Sequence, residues 1–227
     1  HLLTAQALHD EILQRKEGMH GKVYLFFDEI QEVDGWEKCI NSFRVEFDCD
    51  IYITGSNAKL LSGELATYLG GRYVEFVIYP FSFAEFLALY RTVYPETSPV
   101  QGFQAYLLRG GMPYLANLRF EEAPCRQYLT DVFNSVQLKD IVKHNKIRDV
   151  DLLERIIAYV MANVGTTFSA TAISKFLKNE HRTVSPETVL NYLRACADAY
   201  LFYQVKRQDV QGKQILASQE KYYIADH

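Results

Sequence analysis

One stretch, KVYLFFDEIQEVDGW at residues 22–36, restricts what this chain can fold into more than any other. Val23 to Phe27 is an unbroken apolar run, too short for a helix and typical of a strand covered on both faces. Its backbone groups need ladder partners, so a sheet must form around it. The run stops at Asp28 and Glu29. In open α/β sheets the carboxyl ends of strands are where ligands bind. Two acids there suit a magnesium-nucleotide site, in which one carboxylate holds Mg2+ largely through waters and the other orients and polarises an attacking water. Solvated acids in a βα loop fit the same residues, and the run alone does not choose.

The flanking pattern alternates. Residues 2–17 have helical apolar spacing and stop near Gly18 and Gly21. A helix is predicted over 36–47, a short buried strand over 50–54, a helix over 59–69 and a third strand over 73–79. Pro80 ends that strand, and Ser82 is a suitable N-cap for a helix over 83–90. Strand and helix in alternation predict a parallel α/β sheet for residues 1–90.

The second strand ends in Thr54, Gly55, Ser56 and Asn57, which offer hydroxyl and amide groups to an attacking water or a terminal phosphate. Ser56 or Asn57 would serve equally well as the N-cap of the next helix. Arg72 follows two glycines at the start of the third strand. Its guanidinium suits the stabilisation of a transferred phosphoryl group, or an ordinary surface pairing with Glu75.

Residues 91–102, with Pro95, Pro99 and Gly102, read as a linker. This divides the chain into residues 1–92, a helical connector at 103–148 and a last domain at 149–227. Helices are predicted over 103–108, over 124–143 after the Gly110-Gly111-Met112-Pro113 break, and over 149–164. At 48% hydrophobic over 227 residues, the chain supports one large or two modest domains, and its 16 Tyr and 14 Phe argue against extensive disorder. Residues 1–100 hold 8 Lys+Arg against 15 Asp+Glu, and residues 101–227 hold 16 against 13, as two regions with different partners would. Cys39, Cys49, Cys125 and Cys196 form no C-x-x-C pair and read as free thiols in a reducing compartment. No apolar run approaches a membrane span and no signal peptide opens the chain, so a cytoplasmic protein with no membrane partner is expected.

The basic half carries a second pattern. Ser169 caps a helix through Leu177, and Ser185-Pro186 opens another that runs to about Ala199, with Val189, Leu190, Leu193 and Cys196 on one face. A strand at 201–205 and a return strand within 213–226 complete a winged helix-turn-helix. Residues 166–207 hold six Lys+Arg against three Asp+Glu. Thr188, Asn191 and Arg194 would project from the second helix toward DNA phosphates or base edges. A winged helix used only for protein packing is the alternative.

Three strings, LFFDEIQEVDGW, YITGSNAKLLSGELATYLGGRYVEFVIYPFSFAEF and LLRGGMPYLA, resemble in order and spacing a large group of prokaryotic AAA+-type P-loop ATPases with a C-terminal region of unassigned function. The resemblance runs from about residue 20 to 226. It implies that residues 22–29 are the Walker B strand, with Asp28 the magnesium carboxylate and Glu29 the water-polarising acid. It implies that Ser56 or Asn57 reads the γ-phosphate, and that Arg72 senses or completes a nucleotide site in cis or in a neighbour. ATP and Mg2+ would be the cofactors. In that family the chain continues past a K-x-Y-x-x-D-like stretch, here Lys221 to Asp226, and some relatives look nuclease-like beyond it, which the resemblance would extend to Asp226.

One part of the family pattern is missing. An ATP site needs G-x-x-x-x-G-K-S/T, whose amides and lysine hold the phosphates. Gly21-Lys22 and Gly212-Lys213 both lack the first glycine and the hydroxyl residue. The chain is therefore expected to be a C-terminal piece of a longer ATPase, α/β followed by mostly α. Its partial parallel sheet would contain only strands three to five, and it would not hydrolyse ATP by itself. The absent central strand would leave the 50–54 and 73–79 strands to pair directly, to exchange with another chain in a homo-oligomer, or to flank an exposed groove. The alternative is a DNA-binding or protein-interaction module on a degenerate, non-hydrolysing scaffold.

Overall fold

The computed structural model describes residues 4–56, 70, 72–143, 145, 147–205 and 220–226, apart from the side chains of Leu138 and Lys139. The chain divides into two compact units, His1–Phe76 and Val77–His227.

In the first unit, helix α1 (Ala5–Lys16) starts at Thr4, whose hydroxyl accepts from the Ala7 amide. Strand β1 (Val23–Phe27) leads through a 3-10 turn at Ile30–Glu32 to α2 (Trp36–Glu46), and strand β2 (Cys49–Ile53) returns. β1 and β2 pair in parallel from Val23 opposite Cys49 to Phe27 opposite Ile53. Trp36, Cys39, Ile40 and Phe43 fall at helical spacing on α2, and all four are buried with Leu8, Leu25 and Ile30 in one cluster. Val23, Phe27, Cys49, Ile51 and Ile53 pack against it.

The other face of this pair differs from expectation. Tyr24, Phe26 and Tyr52 are 57%, 73% and 50% exposed, with the Phe26 and Tyr52 rings stacked 4.8 Å apart. Successive strand residues point to opposite faces, and the buried cluster lies under one face only. The five-residue apolar run is thus half-buried rather than enclosed. The predicted third strand is also corrected. Residues 73–79 join no ladder among the described residues, so the described parallel sheet has two strands. Val74, Phe76 and Ile78 are exposed. High β-propensity does not make a strand where no neighbouring backbone accepts its hydrogen bonds. The helix predicted over 59–69 lies outside the described residues.

The second unit begins with α3 (Phe83–Val93) and α4 (Pro99–Arg109), each opened by a capping box, Ser82 with Glu85 and Ser98 with Gln101. Much of the stretch read as a linker is therefore helix. Ser98 is the N-cap and Pro99 the first helical residue, and the units divide earlier, after Phe76. A 3-10 turn at Pro113–Ala116 leads to α5 (Glu122–Ser135). Phe86, Ala105, Leu115, Phe120 and Cys125 form the buried cluster of this part.

The helix predicted through Lys143 changes character at Val136, continuing as a π-helical segment, Val136–Lys143. Such segments are rare. Buried Gln137 in this segment donates to Glu154 at 3.2 Å.

The remainder is α6 (Val150–Ala162), β3 (Thr167–Phe168), α7 (Ala170–Asn179), α8 (Pro186–Asp198), β4 (Phe202–Val205) and β5 (Glu220–Ile224). The strands form an antiparallel sheet in the order β3-β5-β4. Asp149, Ser169 and Ser185 cap the three helices through their side-chain oxygens. Leu153, Ile156, Val160, Ile173, Val189 and Cys196 are almost fully inaccessible at the centre of this cluster. Leu190, expected in the same stripe, is 38% exposed. It lies one position off the Val189–Leu193–Cys196 line, about 100° around the helix.

Candidate functional site

The parallel register sets up the site. Because Phe27 sits opposite Ile53, the next residues along, Asp28 and Thr54, leave the sheet side by side at its carboxyl edge. The Thr54 amide extends the ladder by donating to the Phe27 carbonyl at 2.9 Å. The Thr54 hydroxyl donates to Asp28 Oδ1. Glu29 then takes a left-handed backbone conformation, φ 51° and ψ 46°, at the start of the 3-10 turn. There its carboxylate receives the Ser56 hydroxyl at 3.3 Å and the Gln31 side-chain amide. Two acids and two hydroxyls, separated by more than 25 positions, thus converge on one sheet edge.

Gln31 is the member that sequence reasoning missed. Its signal was the D-E-x-Q spacing, which places an amide two residues beyond the acid it holds. Gly55 lies close to this glutamine. A Cβ there would stand 3.3 Å from Gln31 Oε1, so a side chain on the loop would crowd the glutamine.

Asp28 is exposed and Glu29 partly covered, which leaves the aspartate facing solvent while protein donors hold the glutamate. An exposed carboxylate beside a hydroxyl is a hard oxygen donor set. It fits Mg2+, which keeps several waters and takes only one or two carboxylates in nucleotide sites. Among the described residues no group of three or more His, Cys, Asp or Glu could hold a metal by itself, so any ion here would need waters or ligand oxygens to complete its shell.

The remaining expected site residues stand apart. Arg72 is exposed, and no hydrogen bond or ion pair among the described residues joins it to Asp28, Glu29, Thr54 or Ser56. Asn57 lies outside the described residues. On α8, Asn191 and Arg194 are exposed as expected. Thr188 is only partly exposed and its hydroxyl lies 2.9 Å from Ser185 Oγ, so it is engaged in the helix cap rather than projecting freely. The turn between α7 and α8 is tied to α6 by charge. Arg182 meets Asp151 at 2.7 Å, and Arg155 meets Glu180 at 3.0 Å.

Residues 100–227 match the family described as "Domain of unknown function (DUF8612)". The chain belongs to that family. Ahead of the DUF8612 region, residues 1–87 match the family described as "AAA domain". An uncharacterized protein of Haemophilus influenzae is 38% identical over 224 residues, covering 98% of this chain and 55% of its own length. Another, from Methanocaldococcus jannaschii, is 30% identical over 228 residues, covering 96% of this chain and 50% of its own length. The chain thus spans about half the length of these relatives. Among solved structures, a Walker-type ATPase of Pyrococcus abyssi aligns with a TM-score of 0.58 at 16% identity, covering 97% of this chain and 64% of its own. The AAA-domain match and this likeness support a P-loop ATPase-like fold for a chain of mixed α/β and helical structure. Among the described residues no helix is long and apolar enough to cross a membrane.

Proposed function

We propose that β1 is the Walker B strand of an AAA-type ATPase and that the chain contributes the acidic half of its site. The observation that carries this reading is the convergence of Asp28 with Thr54 and of Glu29 with Ser56 at the carboxyl edge of a parallel pair. Asp28 would hold the Mg2+ of bound ATP, and the nucleotide would supply the phosphoryl group. Glu29 would orient and polarise the attacking water. Ser56 and Asn57 would contact the terminal phosphate, and Arg72 would stabilise developing charge, in cis or from a neighbouring subunit. The phosphate-binding loop would come from sequence outside these 227 residues.

In the same reading, α7, α8 and the β3-β5-β4 sheet form a winged helix-turn-helix that relays ATP-driven change to DNA or to a protein partner. Asn191 and Arg194 would be the groups nearest DNA, with Thr188 restricted to backbone contact by its place in the cap. Use of ATP and the absence of disulfides among Cys39, Cys49, Cys125 and Cys196 suit a cytoplasmic setting. The exposed 73–79 segment suits strand exchange in a homo-oligomer.

A second reading, a non-hydrolysing DNA-binding or interaction module, draws support from the lack of any G-x-x-x-x-G-K-S/T in the chain. Turnover separates the two. In a longer polypeptide that supplies the phosphate loop, Glu29→Gln should lower ATP turnover by roughly a hundredfold or more while leaving ATP binding intact. The present chain alone should hydrolyse no ATP. Turnover from it that vanishes in Glu29→Gln would overturn the half-site assignment, and a longer polypeptide that never hydrolyses ATP would favour the second reading. A mobility shift that weakens with salt and with Arg194→Ala would support DNA contact, and no shift at low salt would remove it.

A further inference from the structure

Three features of the second unit meet at one point. The Gly111 amide donates to Asp226 Oδ1 at 2.7 Å. The Phe81 amide donates to the Gly111 carbonyl at 2.8 Å, and the Tyr106 hydroxyl donates to the Phe81 carbonyl at 3.0 Å. Both glycines are required by geometry. Gly110 has φ 72° and ψ −167°, a conformation open essentially to glycine alone, and a Cβ there would stand 2.6 Å from the Asp226 carboxylate. A Cβ on Gly111 would stand 2.4 Å from the Phe81 carbonyl oxygen. The turn is therefore shaped to admit the Phe81 backbone on one side and a carboxylate on the other.

What this point connects is also specific. Phe81 adjoins Ser82, the N-cap of α3, Gly110 and Gly111 follow α4, and Asp226 lies just past β5. The Ala225 amide donates to the Leu201 carbonyl at 3.1 Å, fixing that end of β5 to β4. The unit holds two separate buried clusters, one around Phe86 and Phe120 and one around Ile156 and Ile173. A ring contact between Tyr79 and Tyr203, 5.8 Å apart, runs alongside the same junction. Burial raises the Tyr106 phenol above its ordinary range, and the nearby Asp226 charge adds to the effect.

We infer that Asp226 is a clasp, whose carboxylate seated on the Gly110–Gly111 turn makes the two clusters of this unit one cooperative body. This gives Asp226 a role other than that of a reacting acid, and it does not depend on the ATPase reading. Native-state hydrogen exchange tests it. In the unaltered chain, amides of the Phe86 cluster, amides of the Ile156 cluster and the Gly111 amide should merge into one opening reaction as denaturant rises. Two separate openings would overturn the inference, and this result needs no variant to fold. Asp226→Ala should speed exchange at Gly111 and Phe81 by roughly ten- to a hundredfold, the usual consequence of losing a hydrogen bond to a charged group, and should split the common opening in two. Asp226→Asn keeps an acceptor oxygen and should leave Gly111 protected. Unchanged exchange in Asp226→Ala, or equal losses in both variants, would overturn the clasp. Gly110→Ala should reproduce Asp226→Ala, because its methyl group occupies the carboxylate's place.

Discussion

Glu29 is held in the left-handed backbone region, which costs a non-glycine residue about 1–2 kcal/mol. The Glu32 amide closes the turn onto the Glu29 carbonyl at 3.1 Å, and Ser56 and Gln31 secure the side chain. Stability and function are therefore expected to diverge at this residue. Glu29→Gly should leave the first unit unchanged or up to about 1 kcal/mol more stable in urea unfolding, because glycine enters this region without a Cβ clash. Its effect on turnover in the longer polypeptide should match that of Glu29→Gln. Gln31→Leu should keep the fold and leave the glutamate held by Ser56 alone, seen as increased mobility of the Glu29 side-chain carbons by NMR. Asp28 and Glu29 were legible from their place after an apolar run. Gln31 offered only the D-E-x-Q spacing, and its contact also depends on a left-handed Glu29 backbone that residue types do not announce.

At the scale of elements, caps were the most readable feature. Ser82, Ser169 and Ser185 stand where a hydroxyl residue precedes an apolar period, and each caps its helix. Ser98 has the same signature in S-P-V-Q, but the surrounding prolines made the stretch look like a linker. Ser98→Ala should cost about 1 kcal/mol of second-unit stability by thermal unfolding, where a true linker would show no change. The aromatic packing of α2 sets a larger scale. Phe43 is fully inaccessible and stacks with His9 and Phe27, so Phe43→Ala should destabilise the first unit by about 3–5 kcal/mol. The same change at exposed Phe26 should cost far less. Residues 73–79 have the side chains of a strand but, among the described residues, no ladder to join.

At the scale of the whole molecule, burial makes stability sensitive to alkali. The Cys196 thiol, buried in the same cluster as Leu153, Ile156 and Val189, is pushed up to about 12 by desolvation, and burial also raises Tyr222, whose hydroxyl donates to Glu220 at 2.8 Å. A group whose folded pKa is raised binds its proton more tightly when folded. Its stabilising effect is therefore complete below the unfolded value, near 9 for the thiol, and is lost as pH rises from there toward 12. Urea midpoints of the second unit should fall across this window, and Cys196→Ala should flatten the decline even though it lowers stability at neutral pH by opening a cavity. The same thiol should resist alkylation at pH 8 until that unit unfolds. By itself the sequence determined most helix starts, most of the apolar stripes, the acidic strand end and the lack of a G-x-x-x-x-G-K-S/T motif within these residues, because each follows from residue type at short range. Only the tertiary structure decided that the parallel sheet is exposed on one face, that Gln31 and Ser56 hold Glu29, and that Asp226 belongs to a glycine turn 115 positions away. Those outcomes depend on which distant backbones lie side by side, and local residue pattern carries no record of that.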